Sequence, residues 1–270
     1  MKSPRVSVIL TFYNRPDMVR RAIGHILAQS FRDFELILVD DCSDAVLSLN
    51  DIDFNTIPVR HLRNDKNLGA NRARLRGLMC AIGEYICFHD DDDYWMGDKL
   101  KKQVQFLDDN LDVSVVTSFA LANKKIIEFP ISPSRLILSI YNCVGSFSIP
   151  MIRNSPELGN ALDNDLSNAQ DWHVWRSLEK TGTIATIPSV LVFFDDGAHD
   201  RISSVKNVER YYSSYLRVAL LDNPEILIRA FHQFLARYHC SQMVVSKVLF
   251  GVFYGMLRGY IKARLSIGKF

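Results

Sequence analysis

The sequence predicts an α/β protein built on a mostly parallel central sheet with helices on both faces. Three observations predict it. Short apolar runs rich in β-branched residues alternate with stretches of helical periodicity, the pattern of successive strand–helix–strand units. The run Tyr85-Ile86-Cys87-Phe88 is apolar throughout, as a strand covered on both faces must be. Three strand-like runs end in polar clusters, Thr11 to Asn14, Asp40-Asp41 and Asp90 to Asp93, and such sheets bind ligands outside the carboxyl ends of their strands.

In chain order, Val6 to Phe12 reads as the first strand, closed by Tyr13-Asn14-Arg15-Pro16. Pro16 suits a helix start, where its missing N–H costs nothing, and Met18, Val19, Ala22, Ile23, Ile26 and Leu27 then recur at helical spacing. Phe34 to Val39 is the second strand and Ile57 to Leu62 the third. Asn67-Leu68-Gly69 turns the chain into a helix expected to run through Ile82, ahead of the Tyr85–Phe88 strand. Leu100, Val104 and Leu107 mark another helix and Val113 to Phe119 another strand. Beyond about residue 120 the alternation weakens: Asn142 to Pro150 reads as a loop and short strand, Gln170 to Leu178 as a helix with acid in its first turn, and Ile184 to Phe194 as a strand. From Val208 the pattern is helical.

Composition excludes several classes. With 48% hydrophobic and 23% charged residues in 270, the chain is an ordinary globular one, long enough for one large domain or a domain with an appendage. Net charge is +2, so nothing global points to nucleic acid, but the charge is unevenly spread. Residues 201–270 carry 11 Lys/Arg against 3 Asp/Glu, a balance of +8, and residues 1–200 carry 21 against 27, a balance of −6. Five cysteines form no C-x-x-C pair, which suits a reducing compartment rather than a disulfide framework or zinc ribbon. Met1 to Arg5 leads straight into a strand, so no signal peptide is expected. The longest clean apolar run, Val248 to Leu257, is half the ~20 residues that a spanning helix needs. No G-x-G-x-x-G follows the first strand and no G-x-x-x-x-G-K-[ST] occurs, so the dinucleotide and P-loop readings have no support.

The aspartate run carries the chemistry. Four adjacent carboxylates repel one another, so some must be protonated or a cation must sit among them. Asp90 and Asp92 point the same way in an extended chain. A hard divalent ion is typically held by one or two carboxylates and completed by substrate phosphates, so a metal–diphosphate site is expected here. The blander reading is an acidic helix start, with Asp93 or Asp98 stabilising the next helix, and Asp93 is expected to play that part. Tyr94 and Trp95 read as packing anchors.

Taken in order, Val6 to Arg15, Phe34 to Ser43, Asn67 to Arg74, and Gly83 to Ile86 running into Asp90-Asp91-Asp92-Asp93-Tyr94-Trp95 resemble the family-2 nucleotide-sugar glycosyltransferases of GT-A fold. Gln170-Asp171 with Trp175-Arg176, and His199 to Ser204, extend the resemblance to about residue 205. The resemblance implies a Rossmann-like GT-A domain over 1–205, followed by a basic helical extension over 206–270. It implies that Thr11, Tyr13 and Asp41 frame the nucleotide base, that Arg74, Asp90 and Asp91 contact the donor, and that Asp92 ligates Mn²⁺ or Mg²⁺, with His199 as a further metal contact. Asp171 would be the general base of an inverting transfer from a UDP-sugar to a hydroxyl of a lipid-linked bacterial surface glycan such as O-antigen, capsule or exopolysaccharide. For Asp41 the plainer reading is a turn aspartate, and for Asp171 a first-turn helix acid. Two positions depart from the family pattern: Gln170 stands where an acidic residue is usual, and His89 where an apolar one is.

The C-terminal stretch from Ser241 has five basic residues, no acidic one, and interleaved apolar side chains. It reads as an amphipathic membrane-surface helix, or as core packing with a basic edge. The expected setting is the cytoplasm, peripheral to the inner membrane, with no nucleic-acid partner. Two other functions fit parts of the pattern. A sugar nucleotidyltransferase would need a Gly-rich basic loop where Tyr13-Asn14-Arg15-Pro16 stands, and a non-catalytic membrane-associated assembly partner would have lost the base, whereas Asp171 is present.

Overall fold

The computed structural model describes residues 3–194 apart from 165 and 167. His199 and the basic C-terminal extension lie outside the described residues. In chain order the elements are β1 (Val6–Phe12), α1 (Pro16–Leu27), β2 (Phe34–Asp40), β3 (Val59–Arg63), α2 (Ala70–Cys80), β4 (Tyr85–Asp90), β5 (Asp93–Trp95), α3 (Lys99–Asp109), β6 (Val113–Ala122), β7 (Lys125–Ile127), α4 (Arg135–Ile140), β8 (Met151–Arg153), α5 (Pro156–Leu162), α6 (Gln170–Leu178) and β9 (Thr183–Phe194).

The strands form one sheet in the order β3-β2-β1-β4-β8-β6-β9-β5, with β7 paired to β6. The first four are parallel, and these are the strands that the alternating sequence pattern foretells. The other half is mixed: β8 runs antiparallel to β4 and β6, β9 parallel to β6, and β5 antiparallel to β9. The weakening of the alternation beyond residue 120 has its cause here. β6 returns as a hairpin to β7 through Asn123 and Lys124, both at positive φ, as a tight two-residue connection requires.

Side-chain alternation along β1 divides the core. Val6, Val8, Leu10 and Phe12 join the buried faces of α1 (Val19, Ala22, Ile23, Ile26) and α3 (Leu100, Val104, Leu107) on one side. Ile9 joins Ile37, Val39, Ile86 and Phe88 against α2, α5 and α6 on the other. Helices therefore cover both faces, and every residue of β1 and β2 is buried.

Three boundaries differ from the sequence expectation for physical reasons. β3 starts at Val59 rather than Ile57, because Pro58 has no N–H to give to a ladder and only its carbonyl accepts, from Leu36 N at 2.9 Å. α2 stops at Cys80 rather than Ile82. Ala81 turns extended, Ile82 N–H donates to the Glu35 carboxylate at 2.9 Å, and Gly83 N–H donates to Ser7 Oγ at 2.8 Å. β4 continues to Asp90, so the first aspartate of the run is still a strand residue, paired with Thr11. Asp93 corrects an expectation: it opens β5 opposite Phe194 instead of starting a helix, and α3 begins only after Asp98. Among the described residues no helix is long and apolar enough to cross a membrane.

Candidate active site at the carboxyl edge of the sheet

β1, β2 and β4 end side by side, so the segments leaving these three strands meet at one edge. The β1 and β2 ends are laced together: Asn14 N–H donates to Ser43 Oγ at 2.9 Å, Asn14 Nδ2 to Asp44 at 3.0 Å, and Asp44 N–H to Asn14 Oδ1 at 2.7 Å. Asn14 takes φ +54, a conformation that Asn tolerates better than most residues. Above this edge lies a cavity of about 610 Å³. Thr11, Tyr13 and Arg15 line it from the end of β1, Asp41 from the end of β2, Arg74 from α2, Asp90, Asp91 and Asp92 from the end of β4, and Asp171 from α6.

The repulsion within the aspartate run is relieved by two arginines. Arg74 Nη2 donates to Asp90 Oδ1 at 2.6 Å, and Arg15 Nη1 to Asp91 Oδ1 at 3.1 Å with Asp92 Oδ2 at 3.8 Å. Arg74 is itself 6% exposed, its guanidinium lying 4.0 Å over the Phe147 ring. Its Nε is buried without a hydrogen-bond partner. Asp91 is the most desolvated of the three. Burial pushes its carboxyl up to about 7, Arg15 opposes this, and the neighbouring Asp92 and Asp90 add to it. Arginine charge therefore meets part of the repulsion, and burial raises the proton affinity of Asp91.

The run is braced from behind. His89, 1% exposed, donates from Nδ1 to the Asp90 carbonyl at 2.7 Å; since a carbonyl only accepts, the proton is on Nδ1. Burial lowers the His89 pKa to about 4, so the ring is neutral at physiological pH. Asp90 N–H donates to Ser148 Oγ at 2.9 Å, and Trp95 Nε1 to Ser148 O at 2.8 Å. Trp95 is buried and Lys99 Nζ lies 3.9 Å over its ring, in agreement with the packing role read from the sequence.

Asp41 holds the opposite wall. Its Oδ1 accepts from Asn64 Nδ2 at 2.6 Å and Leu68 N–H at 2.9 Å, and its Oδ2 from Gly69 N–H at 2.8 Å. Gly69 takes φ +84, available to glycine at little cost, and α2 starts directly after it. The carboxylate thus satisfies backbone donors at the head of α2, where negative charge is favoured, and keeps one acceptor site of about four. Asp40, fully buried, does structural work by accepting from Ser43 N–H at 2.7 Å and Arg63 Nη1 at 2.6 Å.

Asp171 sits in the first turn of α6. Its residue is half-buried, but desolvation of the carboxyl pushes it up to about 6. The Trp172 N–H and the Arg74 charge oppose the rise, and Asp90 adds to it. Ala169, just ahead, adopts φ +56 and ψ 27, an uncommon conformation for alanine at the rim of the cavity.

The family model described as Glycosyl transferase family 2 matches residues 7–150, more than half of the chain. The chain belongs to that family. It is 26% identical over 186 residues to the UDP-Glc:alpha-D-GlcNAc-diphosphoundecaprenol beta-1,3-glucosyltransferase WfgD of Escherichia coli, covering 67% of this chain and 72% of that protein. It is 32% identical over 193 residues to the putative teichuronic acid biosynthesis glycosyltransferase TuaG of Bacillus subtilis, covering 67% and 75%. The fold matches S. aureus TarS 1-349 in complex with UDP-GlcNAc at a TM-score of 0.68 and 20% identity, over 86% of this chain and 73% of that one. It also matches the mannosyltransferase PcManGT of Pyrobaculum calidifontis, in complex with GDP-Man and Mn2+, at 0.60 and 18%, over 95% and 81%. The GT-A class expected from the sequence is the fold of this family-2 glycosyltransferase.

Of the residues singled out in the sequence, Thr11, Tyr13, Asp41, Arg74, Asp90, Asp91, Asp92 and Asp171 all line the one cavity, and His199 lies outside the described residues. Sequence reasoning missed Arg15, Phe147, Asn64 and Asn142. Arg15 had a signal, since it directly follows a polar strand end; the others meet the site only through long-range folding. Replacing Asp41 removes the acceptor of three donors. Asp41→Ala is expected to lower stability by about 2–4 kcal/mol, and Asp41→Asn, which keeps one acceptor oxygen, by less. Urea unfolding of the two variants checks this, and losses near zero in both would show that the Asn64–Gly69 turn does not depend on the carboxylate.

Proposed function

We propose that the cavity binds a nucleotide-sugar, a UDP-sugar in the first instance, and that the protein transfers the sugar with inversion to a hydroxyl of a bacterial surface glycan. The observation that carries this reading is the convergence of Asp41, Arg74, Asp90, Asp91, Asp92 and Asp171 on one cavity at the sheet edge. The names of the relatives support the donor class and the setting in polysaccharide synthesis.

In this reading Thr11 and Tyr13 flank the base, and Asp41 offers its remaining acceptor site to a base N–H. Arg15 and Arg74 place positive charge beside the diphosphate, where charge develops as the leaving group departs. Asp90 and Asp91 contact ribose and sugar. The residues also fit a divalent cation. Asp90, Asp91 and Asp92 bring hard oxygen donors to one wall, and Mg²⁺-type sites are completed by substrate phosphates rather than by an all-protein cage. Among the described residues no three His, Cys, Asp or Glu side chains are grouped closely enough to hold an ion by themselves. Asp92 would hold Mn²⁺ or Mg²⁺, and the bound cation supplies charge to the departing diphosphate. Asp171 takes the proton of the acceptor hydroxyl as its oxygen attacks the anomeric carbon and the nucleoside diphosphate leaves from the other face.

The test is hydrolysis of a panel of UDP- and GDP-sugars with Mn²⁺. At least one donor is expected to turn over, with chelator or Asp92→Asn abolishing the activity and Asp171→Asn lowering it by about 100-fold or more. A general base must be deprotonated, and burial raises Asp171 to about 6, so the rate falls as pH drops below about 6, roughly tenfold per pH unit. No turnover with any donor would favour a non-catalytic assembly partner. Undiminished turnover in Asp171→Asn would remove the base.

The acceptor proposed is lipid-linked, met at the cytoplasmic face of the inner membrane. The name of the Escherichia coli relative, with its diphosphoundecaprenol acceptor, and the +8 balance of residues 201–270 support this. Anionic lipid would contribute about 1 kcal/mol per basic residue near the surface. Sedimentation with anionic liposomes is expected to retain the full chain at low salt and release it at high salt. No retention, or retention that salt does not weaken, contradicts the electrostatic anchor.

A further inference from the structure

The loop between α4 and β8 does more than wall the cavity. Asn142 Nδ2 donates to Asp171 Oδ2 at 2.9 Å, while the Trp172 N–H donates to Asp171 Oδ1 at 2.8 Å. Each carboxylate oxygen therefore has a donor, and the plane of the carboxylate cannot turn, short of a half-turn that exchanges the oxygens, without losing both.

The amide of Asn142 is not free to flip. Its Oδ1 accepts from Val144 N–H at 3.2 Å and Gly145 N–H at 3.0 Å, groups that only donate, so the Nδ2 end must face Asp171. Nδ2 also reaches the Gly145 carbonyl at 3.2 Å, and that carbonyl accepts from Trp175 Nε1 of α6 at 2.8 Å. The turn is thus tied to the helix that carries Asp171. Gly145 takes φ +97, and a Cβ there would come within 2.5 Å of Ile149 Cδ1 and 3.0 Å of Phe129. The turn that aims Asn142 is consequently specified by sequence and packing together.

We infer that Asn142 is a positioning residue for Asp171, fixing the orientation of the carboxylate and holding down its proton affinity by donating to its charged form. The inference rests on the reading of Asp171 as the base. Its physical content is a balance: burial favours the protonated acid, and a donated N–H favours the carboxylate. The charged groups that bear on Asp171 are Arg74 from α2, which opposes protonation, and Asp90 from β4, which favours it. From the loop the contact to the carboxylate is the neutral amide of Asn142. An aspartate there would keep an acceptor for Val144 and Gly145 while setting a second carboxylate against Asp171.

The experiment compares the native protein with Asn142→Asp and Asn142→Ala by carboxyl ¹³C NMR titration. The Asp171 resonance is assigned by its loss in Asp171→Asn, and thermal unfolding checks the fold of each variant. The midpoint for Asp171 is expected to move up by about one pH unit or more in Asn142→Asp and by less in Asn142→Ala. The acid limb of UDP-sugar hydrolysis is expected to move with it, with UDP affinity unchanged within about twofold. Where the aspartate variant does not fold, the alanine variant reads the same midpoint. An unmoved Asp171 midpoint overturns the inference even if activity falls. Full activity in Asp171→Asn overturns the base instead, while the titration still reports whether Asn142 governs that carboxyl.

Discussion

Carboxylates crowded at the end of a single strand must be neutralised before the chain can pack, and the arrangement of this site depends on how that is done. Arg74 reaches Asp90 from α2, and Arg15 reaches Asp91 and Asp92 from the end of β1. Each pairing needs a particular piece of fold. Arg74 is in place because α2 begins where Asp41 collects the backbone N–H groups of Leu68 and Gly69. Arg15 is in place because the β1 end is laced to the β2 end through Asn14, Ser43 and Asp44. The cavity wall is thus a set of compensated charges.

Charge compensation also links the two halves of the sheet. Asp90 and Arg74 both act on Asp171, which lies about eighty residues further on in the sequence. The mixed half of the sheet brings it there: β8 docks against β4, α6 packs beneath, and the turn at Gly145 joins loop to helix through Trp175. A carboxyl raised to about 6 by burial, yet tethered by two donors, is suited to accept a proton near neutral pH and to stay oriented while doing so.

Much of this was legible in the sequence. The parallel strands show because buried strands are continuous apolar runs, and the ligand edge shows because each run stops at a polar cluster. The mixed half was harder to read. β5, β7 and β8 have three residues each, too few for periodicity, and their pairings are set by contacts far along the chain. Asp93 misleads for that reason: an acidic residue before a helix resembles a cap, but a three-residue strand intervenes. The carboxylates of the site were recognisable because clustered charge is improbable without a partner. The partners themselves were not, since Asn142 and Phe147 become significant only when folding sets them against Asp171 and Arg74.

We propose that this edge of the sheet holds the diphosphate of a nucleotide-sugar between the aspartate run and the head of α2. The most direct test is a crystal structure with UDP and Mn²⁺, using anomalous scattering to locate the metal. A manganese peak bonded to Asp92 is expected, with phosphates beside Arg15 or Arg74 and the base against Asp41. A nucleotide bound elsewhere, or a metal peak remote from Asp90 to Asp92, would contradict it.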